Sequence, residues 1–243
     1  MGFQNRIKPK RSLGQNFFIN DTLVEKIATK VTEKTPEHIT EIGGGKGAFT
    51  KFFYKMIPKL TVIEKDTVLA QILKNNYEDI EVYNIDFLEF ELKNSNTTYF
   101  GSLPFNIANE IIKKILVSYT FNNPAFFIIQ KEVAEKYLNR NRNPLGLIRE
   151  IYADFEIIMH IKPGNFKPRP KVTSSFVKFT PNDKYKSVDK KALEDLINRS
   201  FRMPRKMISN NLKPFSYKIP EKLSSKRGAE LNLDDYVSIL EFS

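Results

Sequence analysis

The run His38-Ile39-Thr40-Glu41-Ile42, followed at once by Gly43-Gly44-Gly45-Lys46-Gly47 and then Ala48-Phe49-Thr50-Lys51-Phe52-Phe53, constrains this chain more than any other stretch. A short β-branched run reads as a buried strand, and the order that follows is glycine turn, then helix. Glycines at such a turn let backbone N–H groups approach a ligand that any Cβ would repel, which is the logic of nucleotide-type sites in open α/β sheets. Taken alone, the same glycines also suit a plain tight turn.

The strands that follow add to the reading. Leu60-Thr61-Val62-Ile63 ends on Glu64, about twenty residues past the first glycine, where such folds place an acid on ribose hydroxyls. A third run, 81–85, ends on Asp86, and a fourth, Thr98-Tyr99-Phe100-Gly101, delivers Ser102-Leu103-Pro104-Phe105. One acid at a strand end is ordinarily a helix cap or a solvated turn. Four successive strand ends bearing glycine, Glu, Asp and S-L-P-F predict a shared crevice, because all carboxyl ends of a parallel sheet line the same side.

The S-L-P-F tetrad suits an exocyclic amine on a planar base. Such a nitrogen shares its lone pair with the ring, so acceptors for its N–H protons are needed to localise electron density. Ser102 Oγ and the Leu103 carbonyl can accept them, Pro104 fixes the turn, and Phe105 offers a face for stacking. A dinucleotide dehydrogenase would share the glycine turn and the acid. This turn, however, lacks the G-x-x-G continuation, and nothing resembles a hydride-transfer site, so S-adenosylmethionine is the expected cofactor.

Further along, 108–119 reads as an amphipathic helix, 125–129 as a buried strand, 131–138 and 145–152 as helices, and 155–161 as a strand. Pro163-Gly164-Asn165-Phe166-Lys167-Pro168-Arg169-Pro170 is a stiff basic loop, and 172–179 alternates like a closing antiparallel strand. Phe166, held between cations and prolines, is either a second stacking wall for an extruded base or a core anchor for its loop. After a linker at 181–187, helices are expected at 189–201, 206–212 and 233–241. The predicted fold class is α/β, a mostly parallel sheet with a small all-α C-terminal domain. The expected domains are 1–181 with a basic N-terminal arm and 187–243, the second too small to fold alone.

The formal net charge of +11 predicts a polyanionic partner, since Lys and Arg that neutralise phosphates release counterions. The excess is clustered in Arg6, Lys8, Lys10 and Arg11; in Lys162, Lys167, Arg169 and Lys171; and in Arg199, Arg202, Arg205, Lys206 and Lys213. Each run also suits a solvated face or an acidic membrane surface, but three around one base-modifying site favour nucleic acid. Lys8, Lys10, Arg11, Lys167, Arg169, Arg202, Arg205 and Lys206 are the candidate RNA contacts. With no cysteine and only two histidines, disulfides and thiolate metal sites are excluded and no metal is expected. No apolar run is long enough to span a bilayer and the N-terminus has no apolar signal core, so a cytoplasmic protein is expected; a monomer is expected as well.

Gly14-Gln15-Asn16-Phe17-Phe18, Glu41-Ile42-Gly43, Val62-Ile63-Glu64-Lys65-Asp66, Asp86 and Ser102-Leu103-Pro104-Phe105-Asn106 together resemble the ribosomal-RNA adenine dimethyltransferases, relatives of the erythromycin-resistance methylases. Gln130-Lys131-Glu132-Val133-Ala134, 166–172, 201–212 and 227–240 resemble later blocks of that family. The resemblance implies a Rossmann-like class I methyltransferase fold with a seven-stranded sheet and a helical C-terminal domain. It implies two successive methyl transfers from S-adenosylmethionine to N6 of each of two adjacent adenosines in a small-subunit rRNA hairpin, during ribosome biogenesis. By the same resemblance Asn16 and Phe18 close the cofactor pocket, Gly43 and Gly45 approach the methionine part, Glu64 holds the ribose, and Asp86 accepts from the cofactor's adenine amino group. Ser102 borders both ligands, and 102–105 holds the target adenine with Phe166 opposite.

The chain departs from the family's commoner pattern in having Ser102 where Asn is frequent and Phe105 where Tyr is frequent. Serine at that place also occurs among the erythromycin-resistance methylases, which act on one adenine of large-subunit rRNA and are the nearest rival reading. The C-terminal blocks 201–212 and 230–233 instead resemble the small-subunit group. A non-catalytic RNA-binding assembly or transcription factor on the same fold would be marked by loss of Glu64, Asp86 or the tetrad, all of which this chain retains.

Overall fold

The computed structural model describes residues 15–93, 96–138 and 142–242. In chain order the strands are β1 (Phe17–Phe18), β2 (His38–Ile42), β3 (Lys59–Ile63), β4 (Glu81–Tyr83), β5 (Thr98–Ser102), β6 (Ala125–Gln130), β7 (Ala153–Ile161), β8 (Phe166–Lys167) and β9 (Ser174–Pro181). The helices are α1 (Asp21–Thr32), α2 (Thr50–Met56), α3 (Thr67–Asn76), α4 (Ala108–Leu116), α5 (Lys131–Tyr137), α6 (Pro144–Tyr152), α7 (Lys190–Ser200), α8 (Ile208–Leu212), α9 (Glu221–Ser224) and α10 (Leu233–Phe242).

Seven strands form one sheet in the order β4-β3-β2-β5-β6-β9-β7. The pairings from β4 through β6 are parallel and β9 runs antiparallel to β6. Every residue of β2 is buried, as expected of a central strand covered on both faces. Chain order reverses between β2 and β5, which makes the gap beyond their carboxyl ends a topological switch point. The register brings those ends level: Ile42 lies beside Ile63 and Gly101, and Ile63 beside Tyr83.

Helix α1 follows from its own pattern. Asn20 Oδ1 caps it by accepting from Leu23 N, and Val24, Ile27, Ala28 and Val31 form its buried stripe. That stripe joins Ile39, Phe100, Ile128 and Phe176 in the core on one face of the sheet.

Two expectations change in detail. β4 stops at Tyr83 rather than Ile85, because Asn84 turns its Nδ2 to donate to the carbonyls of Glu64 and Lys65 at 2.9 and 3.1 Å. The short ladder between β1 and β8, with Phe18 opposite Phe166, adds a two-stranded sheet that the sequence pattern did not signal.

The chain divides into two compact units, the first reaching residue 131 and resuming over 156–180, the second comprising 132–155 and the residues after 180. A single cut at 181–187 was expected. Residues 132–155 cluster instead with the C-terminal helices, where Leu147 and Ile151 of α6 join Leu193, Leu196, Ile197, Ile208, Leu212, Tyr236 and Ile239 in a second core. Within that unit Asn211 is buried and ties down the basic 200–206 turn: Nδ2 donates to the carbonyls of Ser200 and Met203, and Oδ1 accepts from Met203 N.

The level strand ends depend on a close approach at Gly101. A Cβ there would lie 2.7 Å from Leu103 Cδ2 and 3.0 Å from the Ile42 carbonyl oxygen, and the carbonyl cannot rotate away. Gly101→Ala is therefore expected to destabilise the protein by about 1–3 kcal/mol, read from denaturant unfolding. Wild-type stability in that variant would show that β2 and β5 part without cost.

Candidate active site

A cleft of about 220 Å³ lies within the first unit, at the carboxyl ends of the parallel strands, and is lined by residues of the turns after β2, β3, β4 and β5. Gly43 and Gly45 have φ of +74° and +56°, values that L side chains rarely adopt. A Cβ built on Gly43 meets nothing within 4 Å, so this face of the turn is bare backbone turned toward open space. Gly44 is glycine for another reason: its Cβ would lie 2.5 Å from Val62 Cγ1, so the turn packs directly on β3.

Glu64 is held by that turn and by its own. Gly45 N donates to Oε2 and Asp66 N to Oε1, each at 2.8 Å. The side chain is buried, and burial pushes its pKa up against the opposing pull of those two amides. The result is a carboxylate of fixed orientation at the cleft wall, suited to accepting from a pair of hydroxyls.

Asp86 Oδ2 accepts from Lys65 Nζ at 2.6 Å and Oδ1 from Leu88 N at 2.9 Å. Burial would raise its pKa, but the Lys65 ammonium and the Leu88 amide outweigh it and leave the carboxyl below its ordinary value. Lys65 itself is mostly exposed, so it can swing aside for another donor. The loop after Asp86 is fixed from below by Lys114, whose Nζ donates to the carbonyls of Phe87, Leu88 and Phe90. Neither Asn84 nor Lys114 was singled out in the sequence, since their contacts span about twenty residues or more and carry no local motif.

Gln15, Asn16 and Phe18 reach the cleft from the N-terminal segment. Gln15 Nε2 donates to Asp66 Oδ2 at 3.2 Å, a further contact that sequence reasoning missed. Phe18 leans on Phe166 with ring centroids 4.3 Å apart and meets Phe49 edge-on at 5.0 Å. Phe166 borders the cleft but is only 4% exposed. Of the two roles left open for it, this burial is that of an anchor, with no more than a ring edge for a ligand.

At the other end, Leu103 N donates to the Ile128 carbonyl and Ile107 N to the Pro104 carbonyl, so the tetrad turns tightly over β6. Ser102, Leu103, Pro104 and a half-buried Phe105 all line the cleft. The acidic and basic lining residues are Lys46, Glu64, Lys65 and Asp86, all on the β2–β4 side. The end around 102–105 is uncharged.

Glu41, which had been given no role, lies buried beneath the glycine turn and accepts from Thr50 Oγ1 at 2.7 Å. Its pKa is pushed up to about 8 by burial, against the Thr50 hydrogen bond and with the Glu64 charge adding to the shift. It is therefore largely protonated at neutrality.

Lys167 and Arg169 are exposed in the first unit, and Arg202, Arg205 and Lys206 are exposed in the second. Lys8, Lys10 and Arg11 lie outside the described residues. Arg199 stacks over Phe215 at 3.9 Å from the ring centroid, with Arg202 at 5.6 Å from the same ring. Among the described residues there is no group of three or more His, Asp or Glu fit to hold a metal ion, and no helix long and apolar enough to cross a membrane.

The family described as "Ribosomal RNA adenine dimethylase" matches residues 6–242. "Ribosomal RNA small subunit methyltransferase A" of Pelagibacter ubique is 36% identical over 242 residues, spanning 93% of this chain and 91% of that protein. The protein of the same description from Malacoplasma penetrans is 31% identical over 220 residues, spanning 87% and 80%. Among solved structures, a dimethyladenosine transferase from Plasmodium falciparum superposes with a TM-score of 0.81 at 20% identity, over 93% of this chain and 97% of that one. The 23S rRNA methyltransferase ErmE superposes with a TM-score of 0.74 at 21% identity, over 93% and 98%.

Glu41 makes stability depend on pH. Between its ordinary value of 4.5 and about 8 the folded chain binds the extra proton, so stability is greatest below that window and is lost as pH rises through it. Glu41→Gln should flatten the fall of the thermal midpoint between about pH 5 and about pH 8. Parallel curves for variant and wild type would mean that Glu41 ionises normally.

Proposed function

Because the chain belongs to the ribosomal RNA adenine dimethylase family, we propose that it methylates N6 of adenosines in small-subunit rRNA, with S-adenosylmethionine as donor. The observation that carries this reading is the division of one cleft into a half with pinned carboxylates and bare glycine backbone and an uncharged half built from Ser102-Leu103-Pro104-Phe105.

The donor fits the first half. Gly43 presents backbone where a Cβ would point into open space, and Gly45 stands beside it for the methionine part. Glu64 accepts from the ribose hydroxyls, and Asp86 accepts from the adenine amino group once Lys65 moves aside. Asn16 and Phe18 close over it. The donor supplies an electrophilic methyl group on a sulfonium.

Ser102 Oγ and the Leu103 carbonyl accept the N–H protons of the target amine, and Phe105 stacks on its ring while the Phe166 edge bounds the far side. No residue at this end is a dedicated base, and none is required, because the methylated ammonium is strongly acidic and sheds its proton readily. Positioning accounts for most of the rate. Extruding the base costs little from a loop where pairing is already weak.

Lys8, Lys10, Arg11, Lys167, Arg169, Arg202, Arg205 and Lys206 hold the RNA backbone in this reading. The enzyme works as a cytoplasmic monomer on the small subunit or its precursor during ribosome biogenesis, adding two methyl groups to each of two adjacent adenosines. The small-subunit choice rests on relatives at 31–36% identity, whereas ErmE at 21% shares the fold alone.

Labelled S-adenosylmethionine offered with unmethylated small subunits should yield N6,N6-dimethyladenosine after digestion, at a rate without an inflection near pH 7. Label appearing instead in protein-free large-subunit RNA would transfer the enzyme to the ErmE type of substrate. Asp86→Ala should weaken donor binding by about thirtyfold or more in calorimetry while RNA affinity in filter binding stays unchanged. Unaltered donor affinity would overturn the pocket assignment.

A further inference from the structure

Ser174 opens β9 opposite Gln130, two residues ahead of Phe176, which lies opposite Ile128; Ile128 in turn lies beside Ser102 on β5. Alternation along a strand puts Ser174 and Phe176 on one face, the face on which Phe176, Ile128 and Phe166 pack together. Ser174 lines the cleft there, with Phe166 and Pro170. Its side chain is 1% exposed, and its Oγ is the one buried side-chain oxygen or nitrogen without a hydrogen-bond partner among the described residues. The adjacent Ser175, equally buried but on the opposite face, is hydrogen-bonded to His160 Nδ1 at 2.9 Å.

A buried hydroxyl without a partner costs stability, and alanine would fill the same space without that cost. The cost is recovered when something entering the cleft supplies an acceptor. Ser174 stands at the uncharged end, on the β6–β9 side of the tetrad and away from Glu64 and Asp86, so the entering group is the target base rather than the donor. A base with its amine at Ser102 and Leu103 and its ring turned toward β6 and β9 would bring a ring nitrogen to Ser174.

We propose that Ser174 Oγ–H donates a hydrogen bond to a ring nitrogen of the target adenine and so holds the base in place. Adenine carries unprotonated ring nitrogens at N1, N3 and N7, each able to accept from a hydroxyl. This inference rests on the adenine-methylating reading, and Ser174 is then a base-binding residue of the acceptor half.

The test compares wild type with Ser174→Ala on small subunits reconstituted with rRNA that carries adenosine, or 1-deaza-, 3-deaza- or 7-deazaadenosine, at the positions wild type methylates. On adenosine the variant should lose roughly five- to tenfold in kcat/KM, with donor affinity unchanged and the thermal midpoint raised, since the unpartnered hydroxyl is gone. On one of the three analogues the two proteins should become equal, because the acceptor for Ser174 is gone. Equal loss on all four RNAs, or no loss on adenosine, overturns the proposal. Inactive wild type on the adenosine-containing subunits removes the methylation reading itself, a result distinct from either.

Discussion

The carboxylate of Glu64, clasped between the amides of Gly45 and Asp66, is the contact on which the site depends. It joins the turn after β2 to the turn after β3, and the glycine turn can carry that amide only because Gly43 and Gly45 adopt positive φ. Burial sets the carboxylate against its own charge, and the two amides answer that penalty. The same clasp orients Asp66, whose other contacts cap α3 and receive Gln15. One side chain thus fixes a loop, a helix start and the approach of the N-terminal segment.

Charge is then sorted along the cleft. Acids and lysines gather over β2, β3 and β4, while the end over β5, β6 and β9 is uncharged, its polar groups being hydroxyls, carbonyls and the Asn106 amide. In the proposed reading a donor with a charged tail takes the first half and a planar base the second, with Ser102 bordering both. Placing no ionisable group beside the amine keeps that end at low dielectric, where hydrogen bonds to its N–H protons are strongest.

Much of this was legible in the sequence because the relevant information is local. β2, β3, β5 and β6 are apolar runs closed by distinctive residues, so both the strands and their ends could be read, and a parallel sheet places those ends together. What escaped was set by contacts distant in sequence. The β1–β8 ladder is two residues long in each strand and pairs segments about 150 residues apart, too short for any periodicity. Lys114 and Asn84 are ordinary surface residue types until the fold brings loop carbonyls to them, and Glu41 looks like a strand-end acid until burial raises its pKa. The amphipathic pattern of α6 showed that it buries a face, but not that Leu147 and Ile151 bury it among the C-terminal helices. Phe166 could be read two ways because sequence does not reveal how much of a ring is covered.

The pairing of Phe17–Phe18 with Phe166–Lys167 also sets the order in which the enzyme can be completed. During synthesis the glycine turn, Glu64, Asp86 and the tetrad all emerge before the strand that holds β1 in place. A nascent chain can therefore pair the five strands from β4 through β6 but lacks one wall of the cleft until β8 emerges, with β9, which lies between β6 and β7, following it.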